Sequence, residues 1–538
     1  KQDLIRLLPF VITAIILILY LTFRSWRGVI LPLSTVLISM IWSIGLQQLI
    51  GKSLSLVSTV LPVLLVSVGS AYAIHIIARY YEDINQGKGI EETVKAAIKH
   101  VGIAVIMAGF TTIVGFASLL FSDLTIIQDF ALGTAFGVAV ALLSALLFVP
   151  AVLLHLKIPV KVVSAEERKI SAGFFRFLTK RVFQNRRGIM LLVLLFVIVS
   201  LAVLPKLKPE TNYISYFKEG SKTRVATELV DDILGGTQGV DVIVHGNIKD
   251  DQLLKEMRNF QDEAEQLPHL NNAISMVNIF REENKALNGD DPQMSIIPDN
   301  SKQIAQYLLL LEMSDKEMLE NYLTFDYQKS RIQFTMETLS SSRQKEILDQ
   351  LQGLVDKHFS DKYQVEITGI PSMANEITNL VVSGQIKSLL SAILFTFLIT
   401  SILLKSVKRG IFTTIPIALT VLINFGIMGL FGISLDIATV MIASIAVGIG
   451  VDYSIHIFTR YLEERDYNSA KPADAVKTAI FTVGKANLYN AIAVIAGFCV
   501  ILFSSFPPLV SFGGLTALTM VVSFFGALLV LPVLIMTS

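Results

Sequence analysis

The sequence predicts a membrane all-α bundle in which a block of five helices occurs twice, with one extra helix and a small α+β domain between the blocks. Three observations predict it. Hydrophobic residues make up 53% of the 538 and charged residues only 17%, and mean hydropathy is +0.61; a water-soluble chain of this length would carry more polar surface. Many separate runs are long and apolar enough to cross a bilayer. The second half of the chain repeats the first. Composition also narrows the partners. A formal net charge of +1 argues for no nucleic acid and no acidic partner. The single cysteine, Cys499, leaves no intrachain disulfide or cysteine metal cluster to be made.

A spanning helix needs roughly 20 mostly apolar residues. In order, that rule predicts Leu4–Phe23, Gly28–Ile50, Leu54–Ile77, Val101–Phe121, Ile126–His155, Gly188–Pro205, Ile386–Leu404, Ile411–Phe431, Ile437–Phe458, Ala486–Phe503 and Leu509–Met536. The connections alternate in charge. Arg24–Arg27, Lys405–Arg409 and both ends of Arg79–Lys99 and Arg460–Lys485 are basic, whereas Gly51–Ser55, Ser122–Gln128, Gly432–Asp436 and Ser504–Pro508 carry almost no Lys or Arg. The positive-inside bias assigns the first set to the cytoplasm and the second to the outer side of a multi-pass inner-membrane protein.

Two stretches do not span. In residues 159–187, phenylalanines such as Phe174, Phe175 and Phe177 alternate with Arg176, Lys180, Arg181, Arg186 and Arg187, as in an amphipathic helix on the cytoplasmic leaflet; a plain linker between the halves fits equally well. After a spanning helix over 188–205, residues 206–380 read as a domain on the periplasmic side. Strand-like runs at Val240–His245, Arg331–Thr338 and Gln364–Ile370 alternate with helix-like runs at Asp251–Leu267 and Ser341–His358, which suggests an α+β sandwich of ferredoxin-like character. The helical blocks are then 1–158 and 381–538.

The repeat is legible residue by residue. Gly69-Ser70-Ala71-Tyr72-Ala73-Ile74-His75 returns as Gly450-Val451-Asp452-Tyr453-Ser454-Ile455-His456, Arg27-Gly28 as Arg409-Gly410, Gly115-Phe116 as Gly497-Phe498, and Pro150 as Pro532. Six crossings per period restore the starting orientation, so the repeats are parallel and related by an axis along the membrane normal. This arrangement, with Gly448-Ile449-Gly450-Val451-Asp452-Tyr453 and Asn490-Ala491, resembles the resistance-nodulation-division (RND) superfamily. The MmpL-like and hopanoid-exporter-like branch is nearest, and its five-helix block also resembles the sterol-sensing domain. The resemblance implies that each block follows a helix and an outer domain. The first block would then lack both, by truncation or by separate encoding.

Asp452 is the residue on which chemistry is expected. An ionised carboxylate in the middle of an apolar helix costs roughly 2.5–3.5 kcal/mol on insertion scales, and such acids mark ion pathways. The alternative is a permanent packing hydrogen bond. His456 follows by one helical turn on the same face, with His75 as its counterpart; interfacial histidines near headgroups are the other reading. Asn487 and Asn490 have apolar counterparts at Val105 and Ala108, and the resemblance implies that they hydrogen-bond Asp452, as against ordinary interhelical polar contact. The expected relay is therefore Asp452, Tyr453, His456, Asn487 and Asn490, with Ser70, Tyr72, His75, Thr111 and Thr112 as first-repeat counterparts. Ala71 stands where many relatives repeat the acid, so proton coupling runs through one carboxylate.

The remaining signals carry no site. Gly51-Lys52-Ser53 lacks the upstream glycine of a phosphate loop, since Leu46 stands there. The seven histidines include no His-x-x-x-His pair, so no metal ligand set and no catalytic residue is expected. The expected function is not enzymatic. It is export or periplasmic transfer of a hydrophobic or amphiphilic molecule, a lipid first of all, driven by protons as the coupling ion and assisted by a separate periplasmic carrier. A lipid or sterol sensor without transport, or a protein-translocation motor like SecDF, would share the architecture.

Overall fold

A computed structural model of the chain describes residues 2–52, 55, 57–84, 89–157, 165–298 and 300–537. They form two compact units, one from Lys1–Lys208 with Leu380–Ser538 and one from Pro209–Asn379. The first is helical and contains the described helices long and apolar enough to cross a membrane, eleven in all.

Its first part comprises α1 (Gln2–Phe23), α2 (Trp26–Leu49), α3 (Leu61–Ile84), α4 (Ile90–Ala117), α5 (Thr125–Leu143), α6 (Val149–His155), α7 (Ala165–Gln184) and α8 (Arg186–Val203). All the expected spans are present, but several run further than hydropathy implies. α4 begins at Ile90 because its charged opening turns (Glu91, Glu92, Lys95) suit a helix N-terminus in water. α3 starts at Leu61, after a 3-10 turn at Val57–Val60; the expected start at Leu54, and Ser53 beside it, lie outside the described residues. So do 159–164 of the expected linker; α7 forms most of the rest, and the linker's last two residues, Arg186 and Arg187, open α8.

The second unit contains α9 (Lys222–Leu234), β1 (Gln238–His245), α10 (Asp251–Ala264), β2 (Leu270–Ile274), α11 (Met276–Leu287), α12 (Ser301–Ser314), α13 (Lys316–Glu320), β3 (Lys329–Met336), α14 (Ser341–His358) and β4 (Gln364–Gly369). Its four-stranded sheet has the order β2-β3-β1-β4, antiparallel throughout. Alternate residues of β1 and β3 are buried, and Val240, Val242, Ile332 and Phe334 join Met257, Phe260 and Leu351 of α10 and α14 in one core. On the other pleat face Arg331 donates to Asp241 at 2.7 Å. β3 ends two residues before the expected Thr338. β2 was not expected: Leu-Asn-Asn-Ala-Ile has few strand-forming residues, and only pairing with β3, through an irregular register at Asn271 and Ile274, makes it a strand.

The chain continues with α15 (Ile370–Leu403), α16 (Val407–Phe431), α17 (Ile437–Leu462), α18 (Pro472–Ile501), α19 (Pro507–Phe525) and α20 (Leu531–Thr537). The central apolar stretch of α17 is fully buried and that of α3 nearly so, whereas α8 exposes most of its side chains, as lipid-facing helices do. A five-residue π segment precedes α6 at Ser144–Phe148 and α20 at Gly526–Val530. Each is followed within two residues by a proline, Pro150 or Pro532. Proline has no N–H to offer the preceding turn, so the ladder slips there to the wider spacing.

Candidate functional site

Two glycines let α4 and α17 approach closely. A Cβ built on Gly115 would lie 2.5 Å from the Cα of Gly448, so the backbones themselves are in contact. That approach brings Thr112, one turn before Gly115, against the polar turn of α17. The Thr112 hydroxyl is 2.7 Å from the carbonyl of Gly448, 2.8 Å from that of Ala108, and 3.3 Å from the Asp452 carboxylate. One hydroxyl proton serves one of these acceptors at a time. When it goes to a carbonyl, the hydroxyl oxygen remains open to a proton from the Asp452 carboxyl.

Asp452 is 2% exposed. Tyr72 of α3 comes within electrostatic reach of both Asp452 and Thr112. The tyrosine next to Asp452 in sequence, Tyr453, points elsewhere: its hydroxyl is 3.9 Å from the sulfur of Met520, and its ring meets Phe524 edge-on at 6.0 Å. Neighbouring helical residues lie about 100° apart around the axis, so Asp452 faces the other half of the chain while Tyr453 faces α19.

One turn away along α3 and α17, His75 and His456 stack with ring centroids 3.8 Å apart and planes within 16°. Both are buried. Asn487 donates to the backbone carbonyl of Tyr453 at 3.1 Å. It thus braces α17 against α18, and the side-chain partner of Asp452 is Thr112. The side-chain oxygens of Asn487 and Asn490 and His75 Nε2 are buried with no hydrogen-bond partner among the described residues. Ser70 and Thr111 bond carbonyls of their own helices. Of the expected residues, the structure therefore brings Asp452, Thr112 and Tyr72 together, and separately His75 with His456.

Sequence reasoning passed over Gly115 and Gly448 as site-builders, although both stand in the quoted motifs. It also passed over His100, whose Nδ1 lies 2.5 Å from Glu463 of the other half; no pattern in the sequence links the two. Among the described residues, no cluster of three or more His, Cys, Asp or Glu is arranged to hold a metal ion.

Comparison with known proteins shows the family. A family model, the MMPL family, matches residues 1–187 and 227–538. MJ1562 of Methanocaldococcus jannaschii, a membrane protein by name, is 24% identical over 366 residues, covering 65% of this chain and 91% of that protein. MmpL11 of Mycobacterium tuberculosis, named a heme uptake protein, is 24% identical over 156 residues, which is 28% of this chain and 16% of the relative. MmpL12 of the same organism, named for transport, is 24% identical over 144 residues, 26% of this chain and 13% of the relative. The chain thus spans only a small part of these mycobacterial relatives, yet the family match runs through almost all of its own length. This chain belongs to the MMPL family of multi-pass membrane proteins.

Proposed function

We propose that this protein transports a hydrophobic or amphiphilic molecule, a lipid foremost, and that Asp452 carries the coupling proton. The observation that carries this reading is a titratable acid buried at the crossing of two close-packed helices, one from each half of the chain, with a single side-chain hydrogen-bond partner, Thr112, among the described residues. A buried acid between the two halves can bias a conformational cycle, because moving one charge through 100 mV supplies about 2.3 kcal/mol. The heme named for MmpL11 is itself amphiphilic and fits the same cargo class. A separate periplasmic carrier would receive such a molecule on the outer side.

The reading includes a parallel two-fold repeat of residues 1–158 and 381–538. Paired contacts support it: Gly115 against Gly448 has its counterpart in Gly497 against Ser67, and equivalent histidines meet in the His75–His456 stack, as residues on a two-fold axis do. Residues 206–380 are read as a periplasmic, ferredoxin-like porter domain, supported by the strand order and by α10 and α14 joining successive strands of a split βαβ pair.

The test is substrate efflux and proton flux in proteoliposomes under an imposed pH gradient. Asp452→Asn keeps the shape and removes the titratable proton, so the protein should insert and remain monodisperse while gradient-driven flux stops. Flux at the parental rate in Asp452→Asn would return Asp452 to a packing role, and absence of gradient-driven flux in the parent would favour the sensor.

A further inference from the structure

A cavity of about 480 Å³ opens between α1, α3, α4, α17 and α18, with His75 and His456 among its lining residues. Its mouth carries Arg79, Glu82, His100, Arg460, Glu463 and Lys485, which lie at the ends of helices facing the basic loops. Charges at the mouth pair with one another. Arg79 pairs with Glu82 at 3.3 Å, Arg460 with Glu463 at 2.7 Å, and His100 with the same Glu463 at 2.5 Å. The cavity has room for water, on the order of sixteen molecules at the liquid share of about 30 Å³ each. Along α3 and α17, the lining residues one turn further into the helices than Arg79 and Arg460 are the two stacked imidazoles.

Beyond the stack the polar atoms continue. His456 is one helical turn from Asp452, and Tyr72, one turn from His75, lies within electrostatic reach of Asp452. The buried His75 Nε2 and Asn490 side-chain oxygen have no partner among the described residues, and a buried polar atom is costly to leave unpaired. We infer that the cavity is the half of the proton path on the basic-loop side, and that the His75–His456 stack is the relay between its water and Asp452. A proton arriving from the cavity protonates one imidazole. Two imidazolium rings face to face at this distance would repel each other, so the pair holds one proton at a time. It passes that proton to the Asp452 carboxylate and returns to neutral; the reverse sequence empties Asp452. The stacked rings meanwhile leave no passage for a hydrated metal cation.

This inference rests on the carrier reading of Asp452, and the experiment separates the two. In a Cys499→Ser background, Ala78→Cys places a thiol in the cavity wall. A membrane-impermeant thiol reagent should modify it from the basic-loop side alone, with Asp452 intact or as Asp452→Asn. Modification from the opposite side alone overturns the cavity assignment. Proton flux is then measured in His75→Phe/His456→Phe, which preserves ring packing and removes the nitrogens, and should fall at least tenfold. Where that protein fails to fold, His75→Phe alone should show a partial loss. In His75→Ala/His456→Ala, imidazole added to the basic-loop side should restore flux, which a purely packing role would not permit. Parental flux in the histidine variants, or failure of imidazole to restore it, overturns the relay while Asp452→Asn remains inactive. Parental flux in Asp452→Asn overturns the carrier reading itself.

Discussion

Gly115 of α4 and Gly448 of α17 meet backbone to backbone, with no room for a methyl group on Gly115: its Cβ would stand 2.5 Å from the Gly448 Cα and 2.8 Å from the Gly448 nitrogen. The corresponding glycine of the second half, Gly497, is opposed instead by the Ser67 hydroxyl at 2.5 Å. A hydroxyl can rotate away; a helix backbone cannot. Gly115→Ala should therefore lower stability by about 1–3 kcal/mol, the usual range for overpacking, and Gly497→Ala by clearly less. Thermal unfolding of the two detergent-solubilised variants checks the order, and equal losses would contradict the backbone contact.

Thr112 is the side chain that addresses Asp452, so its hydroxyl should matter more than its methyl. Thr112→Val leaves the carboxyl without that partner and should cost on the order of 1 kcal/mol together with most of the gradient-driven flux. Thr112→Ser should restore both. Ala71, which has no proton to exchange, serves as the control: Ala71→Ser should transport at close to the parental rate. A Thr112→Val protein that transports normally would show that Asp452 works without this contact.

In the αβ unit, burial pushes the Glu283 carboxyl up to about 7, and its Oε2 is buried with no hydrogen-bond partner among the described residues. The folded state therefore keeps its proton where the unfolded chain has lost it. The resulting stability is complete below about pH 4.5 and declines as pH rises towards 7. Because the group is partly exposed, solvent screening reduces the effect to about 1 kcal/mol. Glu283→Gln should abolish this decline, measured as hydrogen-exchange protection of α11 at pH 5.5 and pH 8. A parental protein whose α11 is better protected at pH 8 would reverse the sign and contradict the assignment.

Asp250 titrates in the opposite sense. The Lys362 ammonium at 2.7 Å holds its carboxyl below the usual range, helped by the Tyr363 hydroxyl at 2.8 Å and the backbone N–H of Gln252. It also caps α10. Its contribution is present above about pH 4 and is lost as pH falls below that value. Asp250→Ala should destabilise the unit by about 1–2 kcal/mol, whereas Asp250→Asn keeps the cap and should cost less. Urea unfolding followed by a probe in α10 distinguishes them.

Much of this protein is determined by sequence alone. Bilayer length and hydropathy are local properties, so the spans, the lone acid at Asp452 and the repeated Gly-Phe and Tyr-x-x-His pairs can be read one segment at a time. Where charge and apolar runs conflict locally, as at the start of α4, the reading stops short, because a helix projecting beyond the bilayer needs no hydrophobic signal. β2 is invisible for a related reason: its strand character comes from β3. The partners of Asp452 belong wholly to tertiary structure. Sequence adjacency suggested Tyr453 and the family resemblance suggested Asn487 and Asn490, but the turn angle of the helix sends Tyr453 towards α19, and Asn487 is taken up by a backbone carbonyl. Thr112 reaches the acid only because Gly115 and Gly448 let two distant helices touch. The contact of His75 with His456 likewise depends on how α3 and α17 cross, a geometry that no single segment encodes.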